Sequence, residues 1–308
     1  MNRQEFLKKT ALAGAGLAFF PSLVSCLSAN SNRIITEPLH IKAGNLANVR
    51  GNLWRYTNKG GTVGLLETRE GFVVTDSQFM DSIQPVLDAI SEKGKPVLYL
   101  CNTHYHGDHT SGNFAFKDPK TKVVAHQRVP ELQKIAAEKN NKLLEQRYAT
   151  VIFEKEHTID LGRENVKAYH FGNGHTYGDA MYHFEKDNVV HMGDLMFNNI
   201  IPVYRTADGA DSYNWIKVLE KAVSFFDNDT KFIFGHGNTP DFTVGTKENL
   251  REMGNFLIAS NEFVLKAIRE GKSTEDLLKS HSTIPRFENR KTPERFKGFL
   301  EELRKTLS

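Results

Sequence analysis

The sequence predicts a layered α/β domain. Three observations carry that prediction. Residues 39–75 break into short β-type runs parted by turn signals. From residue 81 onward, helical and strand-like patterns alternate, which is the arrangement of helices packed on a sheet. The chain has 308 residues, 39% hydrophobic and 25% charged, which suits one large domain or two small ones with an ample buried core.

The elements follow in order. Residues 52–57, 62–68 and 71–75 are rich in Val, Leu, Phe and Tyr and are separated by Asn58-Lys59-Gly60-Gly61 and Arg69-Glu70-Gly71. Residues 81–93 read as a helix, with Ile83, Val86, Leu87 and Ile90 on one face and Pro85 accommodated in or near the first turn. Strand-like residues 96–103 follow, then a strand at 122–126, a helix at 129–147, and strands near 157–161 and 166–171. Residues 180–184 and 189–192 read as paired strands across Lys186-Asp187-Asn188. Residues 212–226 are helical, 231–234 form a strand, and a mostly helical tail begins at about residue 246. Within that tail, Ser273-Thr274-Glu275-Asp276 is a helix start with an acidic first turn. No internal repeat or low-complexity block stands out.

The first residues stand apart from the fold. Arg3, Lys8 and Lys9 give a basic start, an apolar run follows over residues 11–20, and Pro21 breaks it. Leu23-Val24-Ser25-Cys26 resembles a bacterial lipobox, so residues 1–25 are expected to be a lipoprotein-type signal peptide and residues 26–38 a linker. Arg3-Gln4-Glu5-Phe6-Leu7-Lys8 also resembles a twin-arginine export signal, with Gln4 in place of the second arginine. Residues 39–308 are then the folded domain, expected outside the cytoplasm in the periplasm or cell envelope. The membrane is reached only through a lipidated Cys26 or an uncleaved N-terminal anchor, because nothing after residue 30 approaches the 18 apolar residues of a span. The net charge of +3 is too small to suggest a nucleic-acid partner. Cys26 and Cys101 are the two cysteines; a lipidated Cys26 cannot bridge to Cys101, which reads as a small buried hydrophobe.

His104-Tyr105-His106-Gly107-Asp108-His109 directly follows the strand at 96–103 and packs four potential metal ligands into six residues. Imidazole and carboxylate suit a borderline metal such as zinc. His104 and His106, two apart at a strand end, can point to one side, and Asp108 and His109 to another, so one loop can begin two metal sites. Three later segments add ligand types, each on a loop after a strand: Gly172-Asn173-Gly174-His175-Thr176, Gly193-Asp194 and Gly235-His236-Gly237. Glycine beside each ligand lets the backbone approach a crowded centre.

HxHxDH, GxGHT, GD and GHG, in this order, resemble the metallo-β-lactamase superfamily, over about residues 39–270. The resemblance implies a four-layer αβ/βα sandwich, here with the helical C-terminal tail added. It implies that His104, His106 and His175 hold a first metal, that Asp108, His109 and His236 hold a second, and that Asp194 bridges the two. Asp76, closing the strand 72–75, matches an aspartate that supports the metal loop, with a simple turn or cap role as the alternative. The implied cofactors are two zinc ions, with iron and manganese left open. The implied activity is hydrolysis of a small acyl substrate (ester, thioester, lactone or amide) by a hydroxide held between the metals. Asp108 would be the catalytic residue that orients that hydroxide or carries its proton.

The alternatives are a true metallo-β-lactamase and an iron-dependent oxygenase or redox protein on the same fold. Against β-lactams, one large lactamase group has Cys at Asp194, Arg at His109 and a substrate-gripping Lys at Phe197. Retention of all seven ligands favours the hydrolase over the iron proteins and over a surface lipoprotein that keeps its metals only for stability. The expected partner is a small-molecule substrate. Tyr105, Asn173, Tyr177, Asn198, Asn199, Tyr204 and Arg205 are candidate pocket residues, with Tyr105 at the cleft mouth and Arg205 either on an anionic group or simply on the surface. Asp179 either supports the site or caps the next strand. His40, His126, His157, His170, His183, His191 and His281 lie outside the motifs and read as ordinary histidines.

Overall fold

Two sheets form the centre of the fold, and inner strands of each are buried on both faces while the edge strands are more polar. The structure, a computed structural model, describes residues 39–41 and 44–308, so the expected signal peptide and linker lie outside the described residues. The first sheet runs in chain order through β1 (Asn45–Arg50), β2 (Leu53–Thr57), β3 (Val63–Glu67), β4 (Phe72–Thr75), β5 (Val97–Asn102), β6 (Lys122–His126) and β7 (Val151–Phe153). Its first four strands form an antiparallel meander and the rest are parallel. The parallel crossovers carry α1 (Met80–Glu92), the short α2 (Gly107–Thr110) and α3 (Arg128–Lys139).

The second sheet combines β8 (Glu156–Asp160), β9 (Asn165–Tyr169), β10 (Met181–Phe184) and β11 (Val189–His191), all antiparallel. The chain then makes the two-residue strand β12 (Phe197–Asn198) and α4 (Ser212–Phe225). It returns as β13 (Lys231–Ile233), parallel to β11, and continues through β14 (His236–Gly237) and β15 (Val244–Gly245). β12 and β14 pair in parallel with Phe197 opposite His236. The tail is α5 (Lys247–Arg269), α6 (Thr274–Ser280) and α7 (Pro293–Leu307).

Side-chain alternation assigns the layers. On β3 to β6, Val63, Leu65, Phe72, Val74, Leu100 and Val123 pack outward against Ile83, Val86 and Ile90 of α1. The intervening Leu66, Val73, Cys101 and Val124 point inward, onto Ile159, Val166, Tyr182, Phe184, Val189 and Ile233 of the second sheet. The outer face of that sheet, including Met181, Val190 and Phe232, meets Trp215 and Leu219 of α4, Met253 and Phe256 of α5, and Phe299 and Leu303 of α7. The order helix, sheet, sheet, helix is the four-layer αβ/βα sandwich expected from the sequence, and the tail belongs to its outer layer. Among the described residues no helix is long and apolar enough to cross a membrane.

Two elements differ from expectation. The helix expected over 129–147 ends at Lys139: Asn141 takes a left-handed φ of 56°, its N–H bonds the Glu138 carbonyl, and the Lys142 N–H bonds that of Ala137. This is a Schellman stop with Asn in the glycine position. α1 begins one residue earlier than the sequence suggested, which makes Pro85 its sixth residue. The tail's predicted start at residue 246 and the Ser273 cap both match, with Thr246 and Ser273 capping α5 and α6.

Leu66, 1% exposed between the sheets, and Leu144, 92% exposed, give a stability contrast. Leu66→Ala should cost about 2–5 kcal/mol in urea unfolding. Leu144→Ala should change it by no more than about 0.5 kcal/mol.

Candidate metal centre

The site forms where β5, β9, β11 and β13 release their chains at one edge of the sandwich. His104 and His106 leave β5, and α2 carries Asp108 and His109. His175 follows β9, Asp194 lies in a 3-10 turn after β11, and His236 opens β14 after β13. The loops are bonded to each other: the Gly61 N–H to the Asp108 carbonyl at 3.0 Å, the Ala180 N–H to Thr103 at 2.7 Å, and the Gly235 N–H to Gly193 at 2.8 Å. Close approach is built in at two glycines. A Cβ on Gly235 would stand 2.0 Å from Asp194 Oδ1, and one on Gly61 would stand 2.1 Å from the His109 ring.

All seven predicted ligand residues converge, in two groups: His104, His106, His175 and Asp194, and Asp108, His109 and His236. In the first, His106 Nδ1 and His175 Nε2 are 3.0 Å apart, and Asp194 Oδ2 lies 3.4 Å from His175 Nε2 and 3.8 Å from His104 Nε2. In the second, His236 Nε2 lies 3.2 Å from Asp108 Oδ2 and 3.4 Å from His109 Nε2. Asp194 reaches this group too, with Oδ1 at 3.0 Å from His109 Nε2 and Oδ2 at 3.4 Å from His236 Nε2. One carboxylate thus stands between both groups.

The supporting bonds turn ring nitrogens toward the centre. Asp76 is fully buried and has a left-handed φ of 61°. Its carboxylate accepts from the Thr103 N–H at 2.8 Å, from the Thr103 hydroxyl at 2.7 Å and from His109 Nδ1 at 2.7 Å. The Thr103 hydroxyl, its proton given to Asp76, accepts from His104 Nδ1 at 3.1 Å. His104 Nε2 is then left without a proton, buried and without a hydrogen-bond partner, as a nitrogen meant for a cation would be. Asp179 organises the His175 loop, accepting from the backbone N–H of Gly174, His175 and Thr176 and from the Thr176 hydroxyl. His106 donates from Nε2 to Asp208 at 3.0 Å, a partner the sequence did not reveal; Thr206-Ala207-Asp208-Gly209 reads only as a turn.

Burial and charge prepare the groups unequally. Burial, with His109 nearby, holds His104 well below the usual imidazole range, and burial drives His175 down to about 3. Both imidazoles are neutral at pH 7. Burial also opposes charge on His236, but the Asp194 and Asp108 carboxylates outweigh it and raise it to about 9. His109 is raised in the same way, chiefly by Asp194 and Asp108 against its burial. Despite its burial, Asp194 is held well below the carboxylate range by His236, His109 and His104.

The pocket candidates divide. Tyr105 is buried against Ala125 and Val129, and its hydroxyl bonds Asp208, so it is a support rather than a residue of the cleft mouth. Tyr204 is also buried: it bonds Thr306 at 2.8 Å, accepts from the Ser212 N–H and stacks on Trp215, which removes it from the pocket. Asn198 is buried and donates to the Phe242 carbonyl, and Asn199 accepts from Asn289. Asn173 donates to the Gly209 carbonyl. Tyr177 and Arg205 are exposed, and Arg205 lies 3.7 Å from Asp208. Two aromatic walls flank the group: Phe197, noted in the sequence only where one lactamase group has Lys, stacks on His236 at 5.2 Å, and Trp215, not singled out in the sequence, lies 5.5 Å from His175. An open cleft of about 370 Å³ starts at His236 and runs between Asn45, Asn58 and Gly60 on one side and Asn238 to Pro240 on the other. His191 is an ordinary core histidine, bonded to the Thr62 carbonyl and the Gly193 N–H.

The sequence profile of the metallo-β-lactamase superfamily matches residues 57–237. The chain belongs to the metallo-β-lactamase superfamily. Its relatives within that family include a hydroxyacylglutathione hydrolase of Synechococcus sp., 26% identical over 114 residues, covering 37% of this chain and 40% of the relative. They also include a type 2 metallo-β-lactamase of Elizabethkingia meningoseptica, 24% identical over 195 residues, covering 63% of this chain and 75% of the relative. The chain spans about two-fifths to a half of the hydroxyacylglutathione hydrolases it matches. Among solved structures, a stereoselective inverting sec-alkylsulfatase from Pseudomonas sp. superposes with a TM-score of 0.65 at 15% identity, over 86% of this chain and 50% of that one. A metallo-β-lactamase from Pontibacter korlensis superposes with a TM-score of 0.58 at 19% identity, over 70% of this chain and 99% of that one. These superpositions establish the shared fold.

Imidazolium cannot ligate a metal, so filling the Asp108, His109 and His236 group must release protons. With His236 raised to about 9, zinc affinity at this group should fall as pH is lowered below that value, by about tenfold per unit for each proton displaced. Calorimetric titrations in buffers of different ionisation enthalpy will count those protons. An affinity that is flat between about pH 6 and 8 contradicts the assignment.

Proposed function

We propose that the protein is a dinuclear zinc hydrolase that cleaves a small acyl substrate, an ester, thioester, lactone or amide. The observation that carries this reading is Asp194, a single buried carboxylate within reach of the imidazoles of both ligand groups. The donor set suits zinc: imidazole nitrogens and carboxylate oxygens, with His104 Nε2 buried and unpartnered. His104, His106 and His175 would hold one ion and Asp108, His109 and His236 the other, with Asp194 shared. Bound there, zinc would supply Lewis acidity and bring the ionisation of water near neutrality.

The chain's own residues do the rest. Asp108 is the most open of the seven, with 31% of its side chain exposed, so it meets solvent as well as His236 and can orient a water and carry its proton. Phe197 and Trp215 wall the centre with apolar surface, excluding competing water and strengthening local electrostatics. The cleft beginning at His236 is lined mainly by Asn, Thr and Gly, which suits a small polar acyl compound. Phe197 is buried where one lactamase group has a substrate-gripping Lys, and it stacks on His236. That weighs against carboxylate recognition of the β-lactam kind. The similarity to hydroxyacylglutathione hydrolases brings thioesters into the candidate set. We also propose that this chemistry takes place outside the cytoplasm, because residues 1–25 resemble a lipoprotein-type signal peptide.

A hydrolysis panel of β-lactams, lactones, thioesters, simple esters and a secondary alkyl sulfate, run on zinc-loaded protein, tests the substrate class. Turnover of the acyl compounds beyond β-lactams is expected; turnover of β-lactams alone would sink the broader reading. Metal analysis should return two zinc ions per chain, and one iron without zinc would overturn the dizinc assignment. Asp76→Ala should cost about 10–100-fold in metal affinity or activity, through release of His109.

A further inference from the structure

We infer that Glu302, on the C-terminal helix α7, is a positioning residue for the metal centre and acts through the Thr206–Asp208 turn on His106. The inference rests on the proposed metal-binding role of His106 and extends it to the tail.

Four links make the connection. Glu302 Oε2 accepts from the Thr206 N–H at 2.9 Å and from the Thr206 hydroxyl at 2.8 Å. Those two bonds cap the 3-10 turn Thr206–Asp208, whose own closure is the Asp208 N–H to the Arg205 carbonyl at 3.1 Å. At the far end of the turn, the Asp208 carboxylate accepts from His106 Nε2 at 3.0 Å. That bond leaves His106 Nδ1 facing His175 Nε2.

Among the described residues, Thr206–Asp208 itself makes no other hydrogen bond to the tail. Asp208 also takes the Tyr105 hydroxyl and lies 3.7 Å from the exposed Arg205 guanidinium, so its carboxylate has a choice of partners. Which partner it serves depends on where the turn is held. Glu302 is only 23% exposed at its side chain, and its second oxygen pairs with Lys305 of the same helix, which keeps the carboxylate aimed at Thr206. A hydrogen-bonded carboxylate on the non-ligating nitrogen fixes ring orientation, and one held from behind fixes it more tightly.

The same helical region holds the neighbouring loop. Arg290 is fully buried and donates to the carbonyls of Phe197 and Ile200, and the Ile201 N–H bonds the Thr292 hydroxyl. Tyr204, just before the turn, bonds Thr306 of α7. The segment from Phe197 to Asp208, which backs both ligand groups, is therefore anchored on the tail at several points. Glu302 is the anchor nearest a ligand-bearing contact.

The test compares Glu302→Ala and Glu302→Gln with the unaltered protein, using two readouts. In metal-free protein, the exchange with water of the His106 ring N–H that bonds Asp208 is followed by NMR. It should accelerate in Glu302→Ala and stay near the original rate in Glu302→Gln, whose amide oxygen still accepts from Thr206. In the second readout, chelator competition for cobalt(II) should show the first ion bound about tenfold more weakly in Glu302→Ala, with recovery in Glu302→Gln. Unchanged ring exchange in Glu302→Ala overturns the inference, and so does a lowered melting temperature of metal-free protein with neither readout moved. If the unaltered protein binds no metal, the proposed function fails, and the ring-exchange readout still decides the role of Glu302.

Discussion

The structure depends on keeping one buried anion satisfied. Asp194 is 4% exposed, deep enough that an unpaired carboxylate would be prohibitively costly, and it is placed where four imidazoles from three loops surround it. Everything near it follows from that demand. Gly235 is glycine because a side chain would strike the carboxylate. His109 and His236 hold protons that balance it when no cation is present, while His104 and His175 stay neutral. A centre arranged this way exchanges protons for metal rather than creating charge from nothing, which is how a buried polar cluster persists without unfolding the edge of the sandwich.

Around the anion, aspartates do the positioning. Asp76 serves His109 and, through Thr103, His104; Asp208 serves His106; Asp179 gathers the backbone of the His175 loop. Each works on a different ligand and comes from a different loop. The two sheets supply rigidity, and these carboxylates convert it into fixed ring directions.

The candidate ligand residues that the fold brings together were legible in the sequence because they sit in short glycine-flanked motifs after apolar runs, in an order that resembles a known family. The layer order was legible for a similar reason: Leu65 and Leu66, or Val73 and Val74, point to opposite faces, and period 2 announces it. What was missed is non-local. Asp208 meets His106 across 102 residues and looks like any turn aspartate. Tyr105, expected at the cleft mouth from its place inside the ligand loop, and Tyr204, another pocket candidate, each turn the hydroxyl to a partner within the protein instead. The two-residue strands β12 and β14 are too short to carry any period, and the stop after Lys139 depends on an asparagine adopting a backbone usually left to glycine.

The seven candidate ligand residues come from both halves of the sandwich: four from the loop after β5 in the first sheet, three from loops of the second. Cys101, the cysteine among the described residues, is buried and unpaired, so no covalent bond there joins the sheets. An ion held by His104, His175 and Asp194 together would therefore be a cross-link in the polymer sense. It would close a long loop of chain and remove from the unfolded ensemble the conformations in which the two halves drift apart.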